Sequence, residues 1–246
     1  MQVALFLPCY VDQVRPEVAM ATVSVLRKAG CTVRFDARQT CCGQPMANAG
    51  CTTDAAALAR RHLDVFRGTT SVSPSGSCVA MVRRHYGELG MTLDSDDQRT
   101  CARTFELAEF LVEVLGVTDL GASFAHRVAI QRSCHGLREL GQGRMSERMD
   151  PPRASALEQL LSHVRGLILV EHPRVDECCG FGGAFAVDHC HTSVSMGADR
   201  CQGFDAAGAE YVTGGDASCL LHLDGVRARR GLAMKTIHVA EILACS

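Results

Sequence analysis

Tryptophan is absent from the 246-residue sequence and tyrosine occurs only three times, which argues against an aromatic-rich recognition surface. Neither charge is in clear excess, since 25 lysines and arginines are balanced by 27 acidic residues, and the net charge is −2. A broad cationic surface for nucleic acid or an anionic membrane is therefore not available. We predict that the protein has no nucleic-acid partner.

Two kinds of apolar segment are also missing. No apolar stretch approaches the roughly 20 residues that a membrane-spanning helix needs. Residues 1–8 are apolar, but they lack the basic start and the small-residue cleavage site of a signal peptide. The sequence therefore predicts a cytoplasmic protein without a transmembrane segment.

Cysteine, in contrast, is abundant, with 14 residues in the chain. In a small secreted protein such a number would indicate disulfides. In a cytoplasmic chain of this length thiols stay reduced, and dense cysteine more often indicates metal or redox chemistry.

The cysteines with the clearest pattern occur as two sets. These are Cys9, Cys41, Cys42 and Cys78 in the first half and Cys134, Cys178, Cys179 and Cys219 in the second. Corresponding members are 125, 137, 137 and 141 residues apart, and each adjacent pair is followed by glycine. Ordered matches at a nearly constant offset indicate an internal duplication. We predict two lobes, residues 1–122 and residues 123–246.

Strand and helix patterns alternate within each half. Short apolar runs predict strands at 3–8, 32–36 and 69–73, and again at 128–132, 167–170 and 210–213. Helical patterns predict helices that begin at residues 16, 54, 153 and 193, and closing helices at 104–111 and 236–243. Such alternation indicates parallel sheets. The predicted fold is α/β, with two pseudo-symmetric Rossmann-like lobes, each a small, mainly parallel sheet flanked by helices.

Every cysteine of the two sets follows a predicted strand. Parallel α/β sheets bind ligands at the carboxyl ends of their strands, where loops and helix N-termini meet. Four thiolates are what an ordinary iron–sulfur cluster needs. The sequence therefore predicts that the eight cysteines hold iron–sulfur clusters of the [4Fe–4S] type, one or two per chain.

Other interpretations of the cysteines stay open. Zinc also binds four thiolates, although neither half contains the close Cys-x-x-Cys pairs typical of zinc sites. A vicinal pair such as Cys41 and Cys42 suits disulfide exchange, but this gives no role to Cys9 or Cys78. The pairs could also be small buried hydrophobic residues. The remaining six cysteines lack counterparts at matching offsets and are predicted to be core or incidental thiols: Cys31, Cys51, Cys101, Cys190, Cys201 and Cys245.

Two residues beside the cysteines are candidates for a catalytic base that would take a proton from a substrate. His135 follows Cys134, and Asp216 lies shortly before Cys219. The sequence identifies no further catalytic residue.

The motifs resemble, from end to end, those of the cysteine-rich CCG-domain family of iron–sulfur-binding oxidoreductase subunits. The resemblance rests on Phe6–Cys9, Cys41–Pro45, Pro74–Cys78, Cys178–Gly183 and Asp216–Leu220. It is greatest for the lactate-utilisation members and more distant for the disulfide-cleaving component of heterodisulfide reductase, in which each motif ends in Cys-x-x-Cys. Here Ser75 and Asp216 replace the first cysteine of that closing pair. The five-thiolate cluster of that reductase is therefore not predicted, and Ser75 and Asp216 are candidate extra ligands.

The resemblance implies an iron–sulfur electron-transfer subunit of a complex that oxidises L-lactate, or a similar 2-hydroxy acid, to pyruvate. It also implies two partner subunits, at least one carrying further iron–sulfur clusters, without which this oxidoreductase subunit would be inactive. The sequence has no nicotinamide or flavin motif, which is consistent with partners that hold the rest of the redox chain. Two alternatives stay open, a thiol–disulfide reductase subunit of the heterodisulfide type and a metal-stabilised structural subunit.

Overall fold

Two four-stranded sheets form the framework of the protein in the computed structural model, which describes residues 1–148, 154–172 and 174–245. The first sheet has the order β2-β1-β3-β4, with β1 (Gln2–Leu5), β2 (Thr32–Arg34), β3 (Ser71–Ser73) and β4 (Thr104–Glu106). The second has the order β6-β5-β7-β8, with β5 (Arg127–Ile130), β6 (Ile168–Leu169), β7 (Tyr211–Gly214) and β8 (Lys235–His238). All neighbouring strands are parallel. The α/β class and the two lobes are thus confirmed.

Helices connect the strands in a similar order in both lobes. In the first lobe they are α1 (Cys9–Val14), α2 (Pro16–Lys28), α3 (Gln44–Asn48), α4 (Thr52–Phe66), α5 (Gly76–Ala80), α6 (Ser95–Ala102) and α7 (Leu107–Glu109). The helix α5 continues as a π-helical segment, Met81–His85, and a 3₁₀ turn, Tyr86–Glu88, and α7 continues as the π-helical segment Phe110–Val114. The second lobe contains a π-helical segment, His135–Glu139, and then α8 (Ala156–Ser162), α9 (Phe185–Asp188), α10 (Cys190–Ala206), α11 (Ala217–Arg229) and α12 (Val239–Ala244).

Local signals in the sequence explain where several helices begin. Pro16 occupies the first position of α2, where the missing amide of proline is not needed. Ser155 and Glu158 form a capping box at the start of α8. The sequence predicts that this helix begins at about residue 153, which lies outside the described residues.

The predicted closing helix of each lobe is wrong in its first residues. Thr104–Glu106 and Lys235–His238 are instead the fourth strands, and each pairs with the third strand of its sheet. Glu106 and His238 end these strands in an extended conformation, and their side chains cap the helices that follow. Threonine and aromatic residues favour strands, but a strand of three or four residues has too little periodicity to be separated from an adjoining helix.

One apolar core extends across both lobes. The helix α2 of the first lobe packs against α12 of the second, and Val25, Leu26, Ile242 and Leu243 are buried in the same cluster. Each lobe also has an apolar cluster of its own. The lobes are therefore duplicated in sequence but joined in packing. Throughout the described residues, no helix has both the length and the apolar character that crossing a membrane would require.

Candidate metal centre

The cysteines of both sets lie beyond the carboxyl ends of parallel strands. Cys9 is the first residue of α1, after β1, and Cys134 immediately precedes the corresponding π-helical segment after β5. Cys78 and Cys219 lie in the first turns of α5 and α11, after β3 and β7. The duplicated sequence therefore produces a duplicated geometry, at the edge where α/β sheets bind ligands.

The adjacent cysteine pairs are followed by turns that require glycine. Gly43 and Gly180 have φ angles of +91° and +90°, in the left-handed region that favours glycine. A β-carbon at Gly43 would lie 3.1 Å from the carbonyl oxygen of Ala55 in α4, and one at Gly180 would lie 2.6 Å from that of Ser193 in α10. Backbone conformation and close packing together explain the glycine after each pair.

In the first lobe the four thiols form two close contacts. The Sγ atoms of Cys9 and Cys41 are 3.7 Å apart, and those of Cys42 and Cys78 are 3.5 Å apart. The backbone amide of Gly43 donates to Cys41 Sγ at 3.5 Å. Hydrogen bonds from Cys42 and Cys9 lower the pKa of Cys41, and the same bonds raise the pKa values of the two donors. These contacts favour the thiolate form at Cys41.

The second lobe repeats this arrangement with one addition. The amide of Gly180 donates to Cys178 Sγ at 3.3 Å, and the amide of Phe181 donates to Cys179 Sγ at 3.5 Å. Hydrogen bonds from Cys134 and Cys179 lower the pKa of Cys178, whereas the pKa values of both donors rise. Each lobe thus stabilises one thiolate through neighbouring thiols and a backbone amide.

Both thiol sets face a cavity of about 90 Å³ between the lobes, which we call the cysteine cavity. Its other walls include Tyr10 and Phe181, whose rings meet edge to face with centroids 5.5 Å apart. The sequence predicts two sites, one per lobe, and the structure brings both to one cavity. Seven of the eight cysteines line it: Cys9, Cys42, Cys78, Cys134, Cys178, Cys179 and Cys219.

The geometry of the thiols bears on which metal they suit. Across residues 1–148, 154–172 and 174–245, no three His, Cys, Asp or Glu side chains converge as ligands of one ion. All fourteen cysteines are free thiols, and the sulfur–sulfur distances of 3.5 and 3.7 Å far exceed a disulfide bond of about 2.05 Å. Thiolates are the usual protein ligands of iron–sulfur clusters, and N–H donors to sulfur suit the negative charge of such a cluster. The donor set therefore fits an iron–sulfur cluster.

His135 lies in the wall of the cysteine cavity and connects the lobes. Its Nδ1 is 3.6 Å from Cys134 Sγ, and its Nε2 is 3.0 Å from the Nε2 of Gln44 in the first lobe. The carboxylate of Glu139 lies 3.8 Å from the same Nε2. The ring is therefore held at a position from which it can reach a molecule in the cavity.

Ser75 and Asp216 bond to each other across the lobe boundary. Asp216 Oδ1 accepts hydrogen bonds from Ser75 Oγ at 2.8 Å and from the Oγ and backbone amide of Ser77 at 2.8 and 3.0 Å. The two residues also form an isolated antiparallel bridge. Ser75 lines the cysteine cavity, whereas Asp216 lines a second, smaller cavity. The carboxylate of Asp216 is thus engaged by serines.

The other six cysteines are not among the residues that line the cysteine cavity. Three are buried in apolar clusters, two are exposed and the last is partly buried: Cys31, Cys101 and Cys201, then Cys51 and Cys190, then Cys245. This placement is the one expected of core and incidental thiols.

Sequence reasoning missed two buried ionisable residues at the lobe boundary, Glu106 and His238. Burial raises the pKa of Glu106 to about 8 and lowers that of His238 to about 4. A signal was present in the sequence, because each residue begins a capping box, with Glu109 and Glu241 respectively, in a repeated segment.

Comparison with known proteins assigns both cysteine sets to one kind of domain. A family model described as a cysteine-rich domain, CCG, matches residues 3–83 and 128–224, and each range contains one complete set. Lactate utilization protein A of Macrococcus caseolyticus (strain JCSC5402) is 39% identical over 247 residues, which cover 99% of this chain and 96% of that protein. The proteins of the same name from Geobacillus kaustophilus (strain HTA426) and Bacillus subtilis (strain 168) are 39% and 37% identical. Each alignment covers 99% of this chain. It covers 98% of the Geobacillus protein and 99% of the Bacillus protein.

A solved structure is similar in outline only. The chain of a candidate Asp/Glu racemase from Yersinia pestis matches over 99% of this chain and 96% of its own length, with 11% identity and a TM-score of 0.38. A likeness of this size carries no argument about function.

Proposed function

This chain belongs to the cysteine-rich CCG-domain family, and from that premise we propose that it is an iron–sulfur electron-transfer subunit of a complex that oxidises L-lactate, or a similar 2-hydroxy acid, to pyruvate. The observation that carries the proposal is that seven of the eight cysteines of the two sets line one cavity. The lactate part is supported by the relatives, which are called lactate utilization protein A.

The eight cysteines of the two sets are the proposed ligands of [4Fe–4S] clusters, one or two per chain. The support is the chemistry of the donors, since thiolates are favoured at Cys41 and Cys178 and amides of the Cys-Cys-Gly turns donate to sulfur. When bound, such clusters would accept and pass on electrons one at a time. Two sets on one cavity therefore suit a reaction that releases two electrons.

His135 is the proposed base for the substrate proton. The Gln44 amide nitrogen donates to the ring Nε2 and holds the ring at the cavity wall, so a substrate hydroxyl would replace Gln44 at this nitrogen when His135 acts as a base. Asp216 is the second candidate, and it reaches the cysteine cavity through the hydroxyls of Ser75 and Ser77. Tyr10 and Phe181 would narrow the cavity and limit the entry of water.

The redox chain needs further proteins. We propose a cytoplasmic complex with two partner subunits, at least one of which carries additional iron–sulfur clusters. The purified chain alone should then not oxidise lactate at a useful rate, and addition of its partners should restore activity. Deletion of its gene should abolish growth on L-lactate and spare growth on pyruvate. Normal growth of the deletion strain on lactate, with no second lactate dehydrogenase present, would contradict the lactate assignment.

The metal test is anaerobic purification and reconstitution followed by iron, sulfide and zinc analysis. Two cubane clusters predict about eight iron atoms per chain and a paramagnetic signal on reduction. Stoichiometric zinc without iron would refute the iron–sulfur assignment. Iron that cannot be reduced would favour a metal-stabilised structural subunit, and turnover of a disulfide by the isolated chain would favour a thiol–disulfide reductase subunit.

A further inference from the structure

Arg200 in α10 is a buried cation, and the residue is only 2% exposed. Its Nε donates to Gln131 Oε1 at 3.0 Å, and its Nη1 donates to the carbonyl oxygen of Arg174 at 2.7 Å. Its guanidinium carbon lies 4.5 Å from the centroid of the Phe204 ring. Burial lowers the pKa of Arg200, but a guanidinium stays charged in proteins. The second lobe therefore holds a permanent positive charge in its interior.

This charge has no carboxylate partner. Among the described residues Arg200 forms no ion pair, and its Nη2 is buried without a hydrogen-bond partner. The two acids whose charges act on it are engaged elsewhere. Glu177 pairs with Arg174 at 3.4 Å, and Asp176 accepts from the backbone amide of Ser146 at 2.8 Å. A buried cation without a counter-charge is costly, so this one indicates an anion close to it.

The anionic group that the structure offers is the second thiol set. Gln131, which accepts from Arg200, donates through its Nε2 to the carbonyl oxygen of Glu177 at 3.1 Å. Glu177 directly precedes Cys178. Cys179 is buried in the apolar cluster against which the guanidinium packs, and a thiolate there opposes the lowering of the Arg200 pKa by burial.

The helix α10 brings the guanidinium and the Cys-Cys-Gly turn together. A β-carbon on Gly180 would lie 2.8 Å from Met196 Cβ, so the turn packs directly on this helix. Met196 and Arg200 are four residues apart, and side chains with this spacing are neighbours on a helix surface. Arg200 is not among the residues that line the cysteine cavity. Its charge therefore acts on the second set from the interior of the lobe.

The first lobe has a neutral side chain at the matching position. A β-carbon on Gly43 would lie 3.6 Å from Leu58 Cβ, which makes Leu58 of α4 the counterpart of Met196. Four residues further along α4 is His62, the counterpart of Arg200. His62 is 1% exposed, and burial lowers its pKa to about 3, so the ring is uncharged at neutral pH. The first thiol set therefore lacks the interior charge that Arg200 gives the second.

A second difference between the lobes acts in the same direction. The second set receives an additional hydrogen bond from the amide of Phe181 to Cys179 Sγ at 3.5 Å. The net charge around an iron–sulfur cluster and the hydrogen bonds to its sulfurs set its reduction potential. Positive charge and N–H donors both stabilise the more negative, reduced state.

We propose that Arg200 is the counter-charge of the metal–thiolate group at the second set and gives this site the higher reduction potential of the two. The inference rests on the proposed function, because it takes the group to be an iron–sulfur cluster. One electron that reaches the first site then passes to the second, so the first cluster is oxidised as the second is reduced, and no bond forms or breaks. Arg200 acts through its charge and is not a catalytic residue.

Reduction potentials of the reconstituted full-length protein test the order of the two sites. In a redox titration followed by electron paramagnetic resonance, Cys42→Ser keeps the second site and Cys179→Ser keeps the first. The midpoint potential should be higher in Cys42→Ser. This comparison requires no change at Arg200, and potentials in the opposite order would overturn the proposal.

Variants of Arg200 test the charge itself. Arg200→Gln should lower the equilibrium constant for reduction of the second site at least tenfold, which corresponds to about 59 mV for one electron. Arg200→Lys keeps the charge and should retain most of the wild-type potential. The matched control His62→Gln, at the counterpart position of the first lobe, should leave the second site unchanged. An equal fall in Arg200→Lys and Arg200→Gln would show a purely structural role and overturn the proposal.

A further measurement uses the metal-free protein. Iodoacetate is an anion and iodoacetamide is neutral, but both react with the thiolate. The ratio of their rates at one cysteine therefore reports the local electrostatic potential and not the thiolate fraction. Arg200→Gln should lower this ratio at Cys178 at least about twofold, with no change at Cys41, as peptide mass spectrometry measures.

The metal-free readout separates the two ways of failing. An unchanged ratio at Cys178 in Arg200→Gln would overturn the charge assigned to Arg200. If the protein bound no iron, the ratio would still fall in this variant, and the proposed function would fail while the counter-charge stood.

Discussion

The two lobes hold the same thiol set but differ in the residues that meet at their boundary. The Cys-Cys-Gly turn recurs with nearly the same backbone, with φ of +91° in one glycine and +90° in the other. By contrast, Ser75 corresponds to Asp216, and Glu106 corresponds to His238. Two aspartates in place of Ser75 and Asp216 would face each other in a buried site and repel, so one copy needs a neutral partner. The residues that are the same in both lobes form the Cys-Cys-Gly turn within each lobe. The residues that differ form contacts between the lobes.

The largest expected effect is the loss of a thiol set. Cys42→Ser should remove about half of the iron by emptying the first set, and Cys179→Ser should remove the other half. Iron and sulfide per chain after anaerobic reconstitution measure this. The control Cys31→Ser, at a buried cysteine of the shared core, should retain wild-type iron. If either ligand variant emptied both sets, the lobes would bind metal jointly, and if Cys31→Ser lost a cluster the ligand assignment would be wrong.

The two turn glycines should differ in how strongly they resist a side chain. Gly43→Ala should cost on the order of 1–2 kcal/mol from its left-handed backbone. Gly180→Ala should cost more, because its β-carbon would lie 2.6 Å from the Ser193 carbonyl and 2.8 Å from Met196 Cβ. Urea unfolding of both variants gives the comparison. Gly203→Ala in α10, where a β-carbon meets nothing, is the control and should not destabilise. Equal losses at Gly43 and Gly180 would contradict the tighter packing of the second turn.

The two boundary residues should limit stability at opposite ends of the pH range. Burial raises the pKa of Glu106 from 4.5 to about 8, so its contribution to the free energy of unfolding is present below pH 4.5 and lost as pH rises through 8. Burial lowers the pKa of His238 from 6.5 to about 4, so its contribution is present above pH 6.5 and lost as pH falls through 4.

Single variants should separate these two dependences. In thermal unfolding measured across the pH range, Glu106→Gln should remove the loss of stability that develops as pH rises from 4.5 to about 8. It should keep the loss of stability that develops as pH falls from 6.5 to about 4. His238→Gln should do the reverse. If both variants changed the same pH-dependent loss of stability, the assignment of one loss to Glu106 and the other to His238 would be contradicted.

The smallest effects are expected at the exposed cysteines. Cys51→Ser and Cys190→Ser should each change the free energy of unfolding by less than about 0.5 kcal/mol, since both residues are exposed. Iron content should stay at the wild-type value. A loss of iron in Cys190→Ser would identify a ligand that the duplication does not reveal.

Features that depend only on residues close together in the chain could be predicted from the sequence. Pro16 marks the start of α2, and the glycine after each cysteine pair marks a turn, because both act on their own backbone. The strands β4 and β8 were missed because they are three or four residues long and join directly to helices. Glu106 and His238 were missed as site residues because a capping residue is normally solvated, and their burial comes from the opposite lobe.

The sequence alone determined the alternation of strands and helices and the grouping of eight cysteines into two corresponding sets. Apolar periodicity and an internal repeat are properties of the linear chain. Only the tertiary structure decided that both thiol sets face one cavity and that Asp216 bonds Ser75 and Ser77 of the other lobe. The repeat specifies each lobe but not the angle between lobes. That angle is a result of packing, in which α2 buries its apolar face against α12 and the strand ends are brought together across the boundary.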